Sequence, residues 1–203
     1  MYIPKSDRIN DTAETVAFMQ RFHFATLVTT QNSVPVATHL PFVVQENDGE
    51  VTLISHLATA NEQVQQLENE QVLVIFSQPH AYISPSLYEK ELNVPTWDYV
   101  AVHAYGTGQL IREPDQVRQL LETTICCFEA EYFQQWEKLP EKYKSGLMRD
   151  MIGLKIRVTE LQGKKKLSQN KTRSERENIM RSLSGSPDPN TQLVAEYMRG
   201  MQK

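Results

Sequence analysis

The amino-acid sequence predicts an α+β fold, mainly β, in which a small antiparallel barrel carries flanking helices and a helical C-terminal tail. The order of the predicted elements is the basis for this fold class. A short one-sided helix comes first, consecutive strands follow with little helix between them, and helices return only in the second half of the chain. Consecutive strands favour antiparallel pairing over an alternating β-α-β arrangement.

The N-terminal half provides the first helix and most of the strands. Asn10 or Asp11 can cap a helix over residues 12–22. Runs of β-branched and aromatic residues, separated by turn residues, then predict strands. These strands cover residues 24–30, 34–44, 51–55, 72–76 and 81–83, and a short helix runs from Asn61 to about residue 68.

The C-terminal half begins with an irregular stretch at residues 84–98, which we interpret as an ordered loop because aromatic residues stand between its prolines. Later elements are a strand at 99–112, helices at 114–136 and 141–148, an alternating strand at 152–161, and helices at 172–183 and 191–201. We expect a barrel domain at 1–162, including the helices at about 114–148. A basic helical tail at 163–203 would pack on the barrel or on a partner subunit.

Composition limits the classes of function. The chain has 203 residues and a formal net charge of −4, which argues against binding nucleic acid through charge alone. The neighbouring Cys126 and Cys127 cannot easily bridge each other, so we expect reduced thiols and a reducing compartment. No segment approaches the roughly 18 apolar residues of a membrane helix, and residues 1–8 lack a signal-peptide run. We therefore expect a cytoplasmic protein without a membrane contact.

The passage from Ser55 and His56 into Asn61 is the most informative candidate site. A strand ends there in hydroxyl and imidazole groups and leads into a helix start, where free N–H groups and the helix dipole suit a phosphate. Simple N-capping by Asn61 explains the same residues equally well.

Other candidates are less specific. Trp97, Tyr99, His103 and Tyr105 alternate along a predicted strand and form either a core layer or a wall for a flat aromatic ligand. The basic cluster that starts at residues 164–166 is a solvated face, a phosphate clamp or a nucleic-acid patch. The histidines lack metal-ligand spacing, so we predict no metal site.

Several segments, taken in order, resemble the PaiB-like family, which is described as FMN-binding negative transcriptional regulators. The segments are residues 1–5 (MYIPK), 37–41 (ATHLP), 56–61 (HLATAN), 79–86 (PHAYISPS), 94–99 (VPTWDY), 102–106 (VHAYG) and 166–170 (KLSQN). The resemblance runs from residue 1 to about 183. It implies an FMN-binding split β-barrel and a homodimer with flavin sites at the subunit interface.

The resemblance also implies a set of flavin contacts. They are Thr38 and His39 at the ring system or ribityl chain; Ser55, His56, Thr59 and Asn61 at the phosphate; Trp97, Tyr99 and His103 near the interface and the ring; and Lys166, Gln169 and Asn170 from the tail. The family usually has Arg where Thr59 stands, so a charge-assisted phosphate contact is missing here. Leu87 and Lys171 also depart from the family, which usually has Trp and Arg there.

Three classes of function are compatible with these residues. The first is a regulator in which FMN biases the dimer and the dimer acts on transcription, with a DNA contact for which the sequence shows no helix-turn-helix pattern. The second is a flavin-dependent oxidoreductase, for which no catalytic residue is identified. The third is a module for haem or another small ligand, with His39, His56 or His103 as a haem ligand. The family resemblance ranks the regulator first.

Overall fold

A computed structural model describes residues 1–201 of the chain. The helices are α1 (Thr12–Arg21), α2 (Pro114–Glu129), α3 (Phe133–Lys138), α4 (Glu141–Arg149), α5 (Arg173–Ser184) and α6 (Pro189–Gly200). The strands are β1 (Arg8–Ile9), β2 (Phe24–Gln31), β3 (Val34–Pro41), β4 (Val43–Asn47), β5 (Glu50–Ala58), β6 (Gln71–Ile83), β7 (Thr96–Ile111) and β8 (Met151–Lys166). None of the helices in this range combines the length and apolar character that crossing a bilayer requires.

The strands form one eight-stranded sheet in the order β3-β2-β6-β7-β8-β5-β4, and β1 pairs with β8. The pairings whose register is defined are antiparallel. Along the described residues the hydrogen-bonded path ends at β3 and β4 and does not close on itself. The predicted α+β class with flanking helices is confirmed, and the sheet is an open one.

Two compact units divide the chain. The first consists of Met1–Thr15, Ser77–His103 and the chain from Gln162 onward, and the second consists of Val16–Phe76 and Ala104–Leu161. One boundary, between Leu161 and Gln162, lies beside the predicted one at residue 162, whereas Met1–Thr15 and Ser77–His103 group with the C-terminal part. Strand β8 continues through residue 162 to Lys166, so residues 163–166 are strand rather than tail.

Each unit has its own buried core. In the second unit, Leu27, Phe42, Leu53 and Phe76 are fully buried. The predicted alternation along β2 is confirmed, because Ala25, Leu27 and Thr29 are all buried on one face. In the first unit, α5 and α6 bury apolar residues of both helices, which are Ile179, Met180, Leu183, Val194, Ala195 and Met198.

Three predicted strands and one predicted helix have different bounds in the structure. The strand expected over 34–44 breaks at Phe42, whose N–H donates to the His23 carbonyl at 2.9 Å. Its ring is fully buried, and the chain turns there so that β4 can pair with β5. The strands expected at 72–76 and 81–83 form one continuous β6 that passes through the Gln78–Pro79 bond. The helix expected over 114–136 is divided into α2 and α3 by a 3₁₀ turn at Ala130–Tyr132.

Candidate functional site

The predicted flavin contacts fall into two sets, one in each unit. The second unit contains Thr38, His39, Ser55, His56, Thr59 and Asn61, which we call the polar cluster. The first unit contains Trp97, Tyr99, His103, Lys166, Gln169 and Asn170.

Asn61 ties the turn after β5 to strand β3. Its Nδ2 donates to Thr38 Oγ1 at 3.3 Å, and its Oδ1 accepts from the Gln63 N–H at 2.9 Å. The buried Gln63 side chain donates from Nε2 to Thr29 Oγ1 at 2.9 Å and to the Val36 carbonyl at 3.2 Å. The turn is therefore fixed to β2 and β3, and Thr38 and Asn61 are in contact.

Asn61 caps a short helix after β5, as the sequence predicted. The strand continues to Ala58, and the following helix is a 3₁₀ turn of five residues, Glu62–Gln66. The N–H groups of Asn61, Gln63 and Val64 all have partners within the turn. These three N–H groups are therefore occupied within the turn.

Strand alternation places neighbouring members of the polar cluster on opposite faces. Ser55 is buried with Val51, Leu53 and Leu57, and its hydroxyl donates to the Pro41 carbonyl at 2.7 Å. His56 points to the other face of β5, where it is half-buried. Burial lowers the pKa of His56, so its imidazole is neutral at pH 7.

His39 is an exposed member of the same cluster. Its ring stacks on that of Phe24, with centroids 6.3 Å apart and planes inclined by 22°. Phe24 is itself 64% exposed, so the two rings form an aromatic surface at the edge of β2 and β3.

Several side chains of the polar cluster are of types that can donate a hydrogen bond to a phosphate-bearing cofactor such as FMN. Thr38 Oγ1 accepts a hydrogen bond from Asn61, which leaves its own hydroxyl hydrogen to donate. The Thr59 side chain is exposed, and His56 supplies an imidazole. These groups would hold phosphate oxygens through neutral hydrogen bonds, which are weaker than charge-assisted ones.

In the first unit, the predicted alternation along β7 is confirmed. Trp97, Tyr99 and His103 are at least partly exposed, whereas Asp98 between them is fully buried. The Trp97 ring contacts that of Tyr82 edge-on, with centroids 5.9 Å apart. Burial lowers the pKa of His103, and the N-terminal charge lowers it further.

The predicted basic cluster does not form one solvated patch. Lys164 is buried at the end of β8, and its Nζ lies 5.1 Å from the centroid of the Tyr99 ring. Lys165 pairs with Glu14. Lys166 donates to Thr96 Oγ1 and to the Trp97 carbonyl. These lysines are engaged inside the first unit.

A cavity of about 510 Å³ lies in the first unit beside the start of β7 and the turn after β8. We call it the tail cavity. Its walls include Lys166, Gln169 and Asn170, all predicted flavin contacts, together with Asp98 and Lys171. Three of the predicted contacts therefore share one cavity.

Asp98 is a charged residue on the wall of this cavity with no exposure to solvent. Its Oδ2 accepts from Ser168 Oγ at 2.7 Å, and Lys166 Nζ lies 3.9 Å from Oδ1. Burial raises the pKa of Asp98 to about 6, although Ser168 and Lys166 act in the opposite direction and Asp7 adds to the rise.

Sequence reasoning overlooked Asp98, although a signal was present. Trp97 and Tyr99 were assigned to one strand face, so the residue between them had to point to the other face. That face is the buried one, where an unpaired acidic residue is rare. An acid at a core position of an alternating strand is therefore a marker of a polar site.

Across residues 1–201, no three or more His, Cys, Asp or Glu side chains are grouped so that they could hold a metal ion. Cys126 and Cys127 are free thiols on the exposed side of α2.

The raised pKa of Asp98 predicts how stability depends on pH. The folded-state value of about 6 lies above the ordinary value of 3.8, so the folded protein holds this proton more tightly than the unfolded chain does. The contribution of Asp98 to the free energy of unfolding is thus full below about pH 4 and falls as the pH rises to about 6. We expect the free energy of unfolding of Asp98→Asn, measured relative to that of the wild type, to rise by about 3 kcal/mol between about pH 4 and pH 7.

Urea unfolding over this pH range measures the difference. Asp48→Asn, at an exposed turn residue, is the matched control and should show no such trend. If the free energies of unfolding of wild type and Asp98→Asn change with pH in parallel, Asp98 does not titrate in this way.

Relatives of the chain include proteins from bacteria and fungi. The chain is 38% identical to "Protease synthase and sporulation protein PAI 2" of Bacillus subtilis over 208 residues, covering 100% of this chain and 99% of the relative. It is 42% identical to the uncharacterized protein YKL070W of Saccharomyces cerevisiae, over 52% of this chain and 62% of the relative.

Solved structures share the fold. The FAD and heme binding protein from Mycobacterium smegmatis superposes with a TM-score of 0.62 at 14% identity, covering 79% of this chain and 73% of that chain. The flavocytochrome Anf3 from Azotobacter vinelandii gives a TM-score of 0.60 at 14% identity, and the match covers 78% of this chain and 68% of that chain. These similarities confirm the fold predicted from the sequence.

The family model described as "Putative FMN-binding domain" matches residues 1–160. Together with the full-length similarity to the Bacillus protein, this match confirms the resemblance that the sequence motifs indicated. The chain therefore belongs to the FMN-binding domain family, and FMN is the cofactor that this membership assigns to it.

Proposed function

We propose that the protein is a homodimeric, FMN-binding transcriptional regulator of the PaiB type. The observation that carries the proposal is the similarity to the Bacillus sporulation protein over the whole chain. Production of proteases and sporulation are programmes of gene expression, so the name of that relative supports a regulatory role. We also propose a cytoplasmic location, which the free thiols of Cys126 and Cys127 support.

The polar cluster is the proposed site for the phosphate end of FMN. Thr38, His56, Thr59 and Asn61 would supply neutral donors, with the turn held in place by Asn61. His39 and Phe24 form an exposed aromatic pair that can cover part of a flat ring. Ser55 stays in the proposal as a support for the strand, since its hydroxyl bonds to the Pro41 carbonyl.

The homodimer is proposed from the family resemblance and from exposed aromatic surface. Trp97 is 54% exposed and Tyr82 is 51% exposed, and their rings are in contact. Exposed aromatic groups of this kind are enriched in protein interfaces. Tyr99 and His103 lie on the same face of β7 as Trp97 and remain proposed flavin contacts through the resemblance.

The helix pair α5–α6 is the proposed DNA contact. The helices are joined by residues 185–188 and pack on each other through apolar residues. A pair of helices joined by a short turn containing glycine is also the framework of helix-turn-helix domains. Arg173 and Arg181 are exposed on α5, and a phosphate contact by Arg173 would replace its 2.9 Å ion pair with Glu177. The sequence predicted both helices but showed no helix-turn-helix pattern in them.

Adding a charge at Thr59 tests the phosphate site. Thr59→Arg would supply the charge-assisted bond that the family usually has, and we expect FMN affinity to rise about tenfold. Thr30→Arg is the matched control, because it adds the same charge at another exposed threonine of the second unit. Fluorescence titration of FMN measures both affinities. Equal gains for the two variants would indicate a general charge effect, and no gain at Thr59 would remove that residue from the site.

DNA binding tests the regulatory role. Fluorescence anisotropy with the promoter DNA of the protein's own operon should show tighter binding than scrambled DNA of equal length at about 0.15 M salt. Arg173→Ala with Arg181→Ala should weaken binding about tenfold, because two phosphate contacts are lost. Lys138→Ala with Lys142→Ala, at exposed sites of the second unit, is the matched control. Equal affinity for promoter and scrambled DNA would contradict a sequence-specific regulator.

A further inference from the structure

Two buried polar atoms on the walls of the tail cavity have no hydrogen-bond partner among residues 1–201. They are Asp98 Oδ1 and the Tyr88 hydroxyl. Asp98 is fully buried and Tyr88 is only 8% exposed. Buried polar atoms almost always have a partner, and leaving one without a partner is costly. Both side chains belong to residues that line the same cavity, so a molecule bound there could supply a partner to each atom after a small shift of the wall.

The two lysines of the cavity, Lys166 and Lys171, differ in their remaining capacity to donate hydrogen bonds. Lys166 is committed to Thr96, to the Trp97 carbonyl and, at 3.9 Å, to Asp98. Lys171 donates to Asn93 Oδ1 at 2.9 Å, and its ammonium lies 3.5 Å from the centroid of the Tyr88 ring.

Both partners of Lys171 are neutral. An ammonium group has three donors, and the charge of Lys171 also acts on the carboxylate of Glu175, whose oxygens accept from the N–H groups of Glu89 and Thr172. Lys171 therefore retains positive charge and donor capacity, and both are close to the Tyr88 side chain.

The cavity thus presents an acceptor of negative character at Asp98 and a donor of positive charge at Lys171. Asp7 on the wall adds further negative charge for a ligand donor. The volume of about 510 Å³ lies within the range of small-molecule sites.

We propose that the tail cavity binds a second ligand besides FMN, a small molecule that carries both an amino group and an anionic group. The amino group donates to Asp98 Oδ1, and the carboxylate or phosphate accepts from Lys171 and the Tyr88 hydroxyl. Amino acids and phosphorylated amino compounds share this chemistry. Lys166, Gln169 and Asn170 then serve this ligand rather than the flavin.

This ligand gives the proposed regulator an input besides the cofactor, but its binding does not depend on the regulatory role. The cavity lies wholly within the first unit, whereas the polar cluster belongs to the second. A failure of FMN binding and a failure of ligand binding can therefore be measured separately.

Thermal unfolding of the full-length, FMN-loaded protein tests the proposal with defined probes. The probes are the proteinogenic amino acids and O-phospho-L-serine, whereas acetate, inorganic phosphate and ethylamine each carry only one of the two groups. We expect at least one probe with both groups to raise Tm, and the single-group compounds to leave it unchanged. Comparison of L-serine with O-phospho-L-serine separates a carboxylate ligand from a phosphate ligand.

Variants then locate the binding. Asp98→Asn should lower the affinity for the active probe at least tenfold in calorimetric titration, with FMN affinity unchanged. Tyr88→Phe keeps the ring beneath Lys171 and removes only the unpartnered hydroxyl, so it should fold and lower the affinity roughly threefold. Asp48→Asn should leave the affinity at the wild-type value.

Several results would overturn the proposal. They are the absence of any stabilising amino-bearing anion, equal binding of a compound with one group, undiminished affinity in both cavity variants, or displacement of the probe by FMN. Displacement by FMN would indicate that the cavity is part of the flavin site.

Discussion

The side-chain amides of Asn61 and Gln63 hold the turn after β5 onto strands β2 and β3. Gln63 is buried and donates to Thr29 and to the Val36 carbonyl, while Asn61 bridges Thr38 and the Gln63 N–H. Asn61 is also the N-cap of the 3₁₀ turn Glu62–Gln66, where the sequence suggested a helix start. The N–H groups of Asn61, Gln63 and Val64 are occupied within the turn, so the side chain at position 59 matters for the strength of the proposed phosphate binding.

In the first unit, the main constraint is a buried carboxylate, that of Asp98. Burying Asp98 is unfavourable, and the structure compensates in part with the Ser168 hydroxyl and with Lys166, which is itself held by Thr96 and the Trp97 carbonyl. Asp98 and Tyr88 line the same cavity, and neither Asp98 Oδ1 nor the Tyr88 hydroxyl has a hydrogen-bond partner among residues 1–201. A buried acid with incomplete partners is costly for stability, and a polar ligand would remove part of that cost.

Periodicity and turn chemistry predicted the fold class and most of the strands and helices, because alternation is a local property of the chain. They failed where a distant residue decides the local structure. Phe42 breaks the predicted second strand because its N–H bonds to His23. The family resemblance named Thr38 and Asn61 as separate flavin contacts, and neither their hydrogen bond to each other nor the core-side role of Ser55 could be predicted without the structure. Strand alternation could have predicted that Asp98 is buried, but the prediction for this strand rested only on its aromatic residues and histidine.

The most direct test of the central claim is light scattering on a size-exclusion column with flavin absorbance recorded on the same peak. The wild-type protein should elute at twice the chain mass of 23.4 kDa with one FMN per chain, identified by mass after denaturation. The double variant His56→Ala with Asn61→Ala should keep the dimer mass and lose most of the flavin. A colourless wild-type protein supplied with FMN, or a double variant that retains all its flavin, would contradict a cofactor site at the polar cluster.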